Sequence, residues 1–200
     1  MAAPSVNLHQ QRSQATKESL RRVALARFAK AGFANVTVAQ LATEAGVTER
    51  TFFRHFPTKE AVLFEDYESQ LEWLAKALAK RPASESLCDA VLMSVVSFPH
   101  DLEVVRQAAL LRAELIGGER AAGHLRVVQS SFAAVITEFV RSRYAGVPGI
   151  DLKAEVAGAA LAAALVVAVE SWGRGGCTGD LGRIVVDGVN LVRSGFAFAD

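Results

Sequence analysis

The chain has 200 residues, 51% of them hydrophobic and 22% charged, which is enough to bury a sizeable core in one or two small domains and excludes a disordered tail. Its net charge of +1 hides a split: residues 1–64 carry nine Lys/Arg against four Asp/Glu (+5), and residues 65–200 carry thirteen against seventeen (−4). A basic front and a mildly acidic remainder fit a nucleic-acid module joined to something else.

Residues 1–15 are polar, lack the apolar stretch of a signal peptide, and read as a fraying end or mobile arm. A first helix is expected over 14–31, with Leu20, Val23, Ala24 and Phe28 on one face and Gly32 closing it. Thr37 followed by Gln40 has capping-box spacing, and Val38, Leu41, Ala42 and Ala45 give the next helix one apolar face. Gly46 can leave that helix with φ above zero at little cost. Thr48 then caps a third helix whose outer side offers Glu49, Arg50, Thr51, Phe53, Arg54 and His55. Three phenylalanines among five residues cannot share one helical face, so Phe52 and Phe56 are expected in the core and Phe53 outside it. The pattern is a helix-turn-helix with a polar, aromatic and basic face suited to a DNA major groove.

A long fourth helix is expected to follow Thr58 through Leu63, Tyr67, Leu71, Trp73 and Leu74 to Arg81-Pro82. Ser84 or Ser86 opens a fifth that ends near Phe98-Pro99, and Asp101 caps a sixth that stops at Gly117-Gly118. A seventh covers about 120–144 and dissolves into Gly146-Val147-Pro148-Gly149. Asp151 caps an eighth ending at Gly173, and a ninth runs from Asp180 to about Gly195. No strand-length alternation competes, so the expected fold is all-α with about nine helices.

Val156 to Val169 is an uncharged run of fourteen residues, shorter than the roughly 20 that a membrane span needs, and reads as a buried helix with no membrane role. Its small residues, Gly158 and Ala162 among them, let helices pack closely. With Leu165, Val169, Leu181, Ile184, Val185, Gly188 and Val192 they suit a four-helix bundle formed by two subunits about a two-fold axis. An intrachain core is the alternative for some of them. Candidate lining for a ligand pocket comprises Trp73, Leu74, Met93, Phe98, Leu110, Leu111, Phe132, Ile136 and Trp172, each of which could equally be core. Arg112 and Glu114 lie in an apolar stretch and could orient a ligand, or form a surface pair or a dimer-edge contact.

Cys88 and Cys177 have neither paired-ligand spacing nor the density of a secreted disulfide scaffold. His9, His55, His100 and His124 are scattered without ligand spacing, so no metal and no cofactor are expected. An all-helical enzyme using the cysteines, His100 and carboxylates is the rival class, but no Gly-rich phosphate loop or nucleophile elbow supports it.

The run Ala31-Gly32-Phe33, Thr37-Val38, Ala42, Ala45-Gly46-Val47-Thr48, Thr51-Phe52-Phe53-Arg54-His55-Phe56 and Lys59-Glu60 resembles the TetR-type transcriptional regulators. The resemblance covers about residues 14–64 and implies a helix-turn-helix domain there, with a helical effector-binding and dimerisation domain over 65–200. It implies a cytoplasmic, nucleoid-associated homodimer that represses from a pseudo-palindromic operator until a small apolar effector releases it. An activator or a corepressor-dependent regulator would have the same sequence logic. By family position Thr37, Thr48, Thr51, His55 and Lys59 would contact phosphate, while Gln40 and Glu49 would approach base edges. Arg50 stands where the family often has a small residue or proline, and is the candidate base reader, with Arg54 beside it. Phe53 stands where tyrosine is common and can meet a thymine methyl or sugar but cannot hydrogen-bond phosphate. Trp172-Gly173, Gly175-Gly176 and Asp180-Leu181 loosely resemble the ending of actinobacterial-type members thought to sense acyl-CoA-like molecules.

Overall fold

The computed structural model describes residues 8–99, 101–115 and 119–196; His100 and the Gly117-Gly118 helix stop lie outside the described residues, as does the side chain of His9. Among the described residues there are nine α-helices, two short 3-10 turns and no strand. The chain divides into two compact units, Met1–Leu63 and Phe64–Asp200.

The first unit holds α1 (Leu8–Ala31), a 3-10 turn (Phe33–Asn35), α2 (Val38–Glu44) and α3 (Glu49–His55). Helix α1 starts at Leu8, so the part of the supposed arm from there to residue 15 is helical. Gly32 takes the chain out of α1 at φ 79°, and its N–H donates to the Phe28 carbonyl at 2.9 Å. Leu20, Phe28, Leu41, Phe52 and Phe56 form the core of this unit.

The second unit contains α4 (Glu65–Leu78), α5 (Leu87–Val96), α6 (Leu102–Leu115), α7 (Glu119–Arg143), α8 (Ile150–Arg174) and α9 (Leu181–Arg193). The expected fourth helix needs a correction at its start. Thr58 Oγ1 does accept from the Ala61 N–H, but the chain then makes only a 3-10 turn over Glu60–Phe64, and α4 begins at Glu65. Ser86 caps α5, and Asp180 caps α9 by accepting from the Arg183 N–H at 2.9 Å. Asp101 Oδ1 accepts from the N–H groups of Glu103 and Val104 at the head of α6. Asp151 does not cap α8. Gly149 precedes that helix at φ 69°, and Asp151 instead accepts from Arg141 Nε at 3.2 Å.

Helix α8 organises the second unit by packing against α6, α7 and α9. It extends the fourteen-residue apolar run into a 25-residue helix, which by length and composition alone could cross a membrane. Its packing is that of a core helix, since Ala154, Gly158, Leu161, Ala162, Leu165 and Val169 are buried. The glycines set close approach within the chain. A Cβ on Gly158 would collide with Thr137 Oγ1 and lie 2.7 Å from the Ala133 carbonyl of α7. One on Gly173 would lie 2.7 Å from the Ala109 carbonyl of α6.

These contacts engage most residues of the expected dimer face within the chain itself. Gly158, Ala162, Leu165, Val169 and Val185 point into the second unit, and Gly188 lies against the Ala164 carbonyl. Leu181 and Ile184 pack on Val105, Ala109 and Trp172. Val192 is half-exposed. A helix with apolar residues all round does not reveal which side meets its own chain.

Candidate DNA-reading face and ligand cavity

Local hydrogen bonds build the front site. Thr37 Oγ1 accepts from the Gln40 N–H at 3.3 Å, and Gln40 Oε1 accepts from the Thr37 N–H at 2.9 Å, closing a capping box on α2. Gly46 turns at φ 69°, as the turn between the two helices requires. Thr48 Oγ1 then accepts from the Thr51 N–H at 3.2 Å, and the two hydroxyls lie 3.0 Å apart. One of the free N–H groups at the head of the short α3 is therefore capped before any partner arrives.

The three phenylalanines divide as their spacing requires. Phe52 is 0% and Phe56 1% exposed, whereas Phe53 is 49% exposed, and the Phe52 and Phe56 ring centroids are 5.6 Å apart. Burial of the first two fixes the rotation of α3, which leaves Glu49, Arg50, Phe53 and Arg54 exposed, together with Thr37, Gln40 and Thr48. Thr51 and His55 are half-buried. Burial, then the charges of Arg54 and Lys17, push His55 below its ordinary pKa of 6.5, so its ring is mainly neutral at pH 7. Any phosphate contact from it in the free protein's protonation state is an N–H bond, not an ion pair.

Lys59 is occupied differently from its expected role. Its Nζ donates to the carbonyls of Phe33 at 2.7 Å and Val36 at 2.8 Å, and lies 4.2 Å from the Phe33 ring centroid. Burial lowers its pKa, with Glu60 opposing. Two of its three donors hold the turn before α2, which leaves one for any phosphate.

The second unit encloses a cavity of about 290 Å³. Tyr67 and Gln70 of α4, Val95 and Val96 of α5, Leu102 of α6, Phe132 of α7, Leu165, Val166 and Val169 of α8, and Leu181 and Val185 of α9 line it. Gly179, Asp180 and Gly182 complete the lining at the head of α9.

Of the expected pocket residues, Phe132 lines this cavity and the others lie elsewhere in the unit. Leu74, Leu111 and Ile136 are core, Leu110 is half-buried and Met93 is exposed. Trp73 Nε1 donates to the Ser94 carbonyl and Ser97 Oγ, and its ring meets Phe98 edge-on. Trp172 Nε1 donates to the Gly179 carbonyl at 3.3 Å. Leu165, Val169, Leu181 and Val185, expected at the dimer face, line the cavity. Tyr67 and Gln70 were missed, although a tyrosine and an amide one turn apart on an apolar helix face were the available signal.

Arg112 lies beside that cavity and not in its wall. It is 1% exposed, and its Nε donates to Glu170 Oε1 at 2.8 Å while Nη1 donates to Asp66 Oδ1 at 3.0 Å. Tyr67 Oη donates to the same Glu170 oxygen at 2.8 Å. Burial disfavours the guanidinium charge, but Asp66, Tyr67 and Glu170 outweigh it and raise the Arg112 pKa. Burial pushes the Tyr67 pKa well up, so its hydroxyl stays protonated and donates. The cluster joins α4, α6 and α8. Glu114, the other charged residue of that stretch, is exposed. Among the described residues no three His, Cys, Asp or Glu side chains gather as a metal site, and His124 stacks on Phe64.

A capped helix-turn-helix with an exposed basic and aromatic α3, followed by a separate helical unit with a cavity, defines a DNA-binding regulator class. Residues 20–65 match the family described as bacterial regulatory proteins, tetR family. MftR, the transcriptional regulator assigned to mycofactocin biosynthesis in Mycobacterium tuberculosis, is 29% identical over 68% of this chain and 69% of its own. The HTH-type transcriptional regulator TcmR of Streptomyces glaucescens is 38% identical over 42% of this chain, a match spanning 37% of TcmR. Thermus thermophilus FadR, a TetR-family repressor solved with lauroyl-CoA, superposes with a TM-score of 0.61 over 92% of this chain and 96% of its own, at 22% identity. That last likeness bears on the fold alone. Residues 20–65 are thus a helix-turn-helix DNA-binding domain of the tetR type, and the relatives the chain resembles are transcriptional regulators.

Proposed function

We propose that this regulator binds a pseudo-palindromic operator as a homodimer and that a small, mainly apolar effector releases it. The observation that carries the reading is the exposed Arg50 and Phe53 on an α3 whose caps are filled and whose rotation Phe52 and Phe56 fix. Arg50 reads a base edge, guanine O6 and N7 offering the bidentate fit worth about 1–3 kcal/mol of discrimination. Phe53 meets a thymine methyl or sugar, Gln40 and Glu49 approach bases, and Thr37, Thr48, Thr51, Arg54, His55 and the remaining Lys59 donor meet backbone.

Two copies about one DNA turn apart, or a multiple of it, make so short a helix useful. The surface for the second copy is the outer stripe of α8, where Val156 and Val167 are exposed eleven residues apart and so share a face, with Leu191 exposed on α9.

Effector control is a two-state equilibrium. A ligand acts only through its different affinity for the two states, with a typical coupling of about 1–3 kcal/mol. Helix α4 follows the DNA-binding unit directly in the chain and carries Tyr67 and Gln70 into the cavity wall. A ligand that moves α4 therefore alters how the paired heads are presented. Release of a repressor is the reading that follows the family.

Enrichment of bound duplexes from a random pool tests the proposal. Two inverted half-sites at a fixed spacing support a dimeric reader, and enrichment of no common sequence contradicts it.

A further inference from the structure

From the cavity wall we infer the chemical class of the effector: an uncharged, compact, mainly apolar molecule with one hydrogen-bonding group held by the Gln70 amide. The inference rests on the reading of this cavity as the effector site. Among the fourteen described lining residues there is no lysine, arginine or histidine. The only charged group is the Asp180 carboxylate, exposed at the head of α9, where one of its oxygens already caps that helix. An anionic head entering this wall loses its water without gaining a cation, and meets a like charge on the way.

The polar groups that remain select for a neutral ligand. The Tyr67 hydroxyl lends its proton to Glu170 and offers a ligand only an acceptor lone pair. The side-chain amide of Gln70 has no hydrogen-bond partner among the described residues, although it lies half-buried in an otherwise apolar wall. An amide both donates and accepts, so a hydroxyl, carbonyl or ether satisfies it without carrying charge. The volume of about 290 Å³ is at the low end for ligand pockets and favours a short chain or a single ring system.

Two probes of equal length separate the possibilities: 1-octanol and octanoate, titrated calorimetrically into the full-length protein at pH 8. The inference expects 1-octanol to bind at least tenfold more tightly. Gln70→Leu should weaken 1-octanol severalfold. Asp180→Asn keeps a good capping residue and should tighten octanoate severalfold relative to 1-octanol. Octanoate binding as tightly as 1-octanol, or 1-octanol indifferent to Gln70→Leu, overturns the inference while leaving the cavity a ligand site. If neither probe binds, the cavity reading falls and takes the inference with it.

Discussion

Tyr67 Oη donates to Glu170 Oε1 at 2.8 Å while the same tyrosine lines the cavity, so one side chain belongs to both the cavity wall and a buried ion cluster. Through that oxygen it reaches Arg112, and through Arg112 it reaches Asp66, its own neighbour on α4. The first turn of α4 is thereby fixed to α6 and α8 by charge as well as by packing.

Arg112→Met should cost about 3–5 kcal/mol in urea unfolding, because it leaves the Asp66 and Glu170 carboxylates buried without their cation. Glu170→Gln retains an acceptor for Tyr67 and Arg112 and should cost clearly less. Equal losses would contradict a charge-centred cluster.

Phe52→Ala should destabilise by about 3–5 kcal/mol, since its ring is wholly buried. Phe53→Ala, at a half-exposed position, should change stability by less than about 1 kcal/mol and still weaken operator binding. Thermal melts and DNA titrations on the same two variants check this, and intact DNA binding by Phe53→Ala would remove that ring from the interface.

His55 should titrate with a midpoint below 6.5 in the free protein, followed by NMR of its ring. Between that midpoint and 6.5 the unfolded chain binds more protons than the folded one. Its contribution to stability is therefore complete above pH 6.5 and is lost as pH falls through that window, and His55→Gln should abolish this slope. A nearby DNA phosphate should raise the midpoint. A free-protein midpoint above 6.5 would contradict the assignment.

Gly158→Ala should destabilise the subunit itself by at least about 1–3 kcal/mol, because the new methyl meets the Ala133 carbonyl and Thr137 of α7. Were Gly158 at a dimer face instead, the loss would vary with protein concentration while the subunit's own melt stayed fixed.

The helix-turn-helix was legible in the sequence because its determinants are local. Thr37 and Gln40 cap within three residues, Gly46 supplies the turn, and the spacing of Phe52, Phe53 and Phe56 assigns them to two faces. Arg112 was not legible, because its partners Asp66 and Glu170 lie 46 and 58 residues away and only the packing of three helices brings them together. What the apolar run of α8 packs against was not legible for another reason. Leu165 and Val169 suit a cavity wall, a core or a subunit face equally well by composition, and the seating of Gly158 on Thr137 decides between them. The hold of Lys59 on the Phe33 and Val36 carbonyls was not legible, because those carbonyls carry no mark in the sequence.

The central claim is that Arg50 on α3 reads sequence, and a fluorescence-anisotropy titration of native protein and Arg50→Ala tests it most directly. The DNA is the duplex flanking the protein's own gene or one enriched from a random pool, at several salt concentrations and with competitor DNA. Native protein should show saturable, salt-dependent binding that survives competitor and weakens about 5- to 150-fold in Arg50→Ala, the equivalent of about 1–3 kcal/mol. Binding that competitor abolishes and Arg50→Ala leaves unchanged would reduce the face to a basic patch and contradict the account.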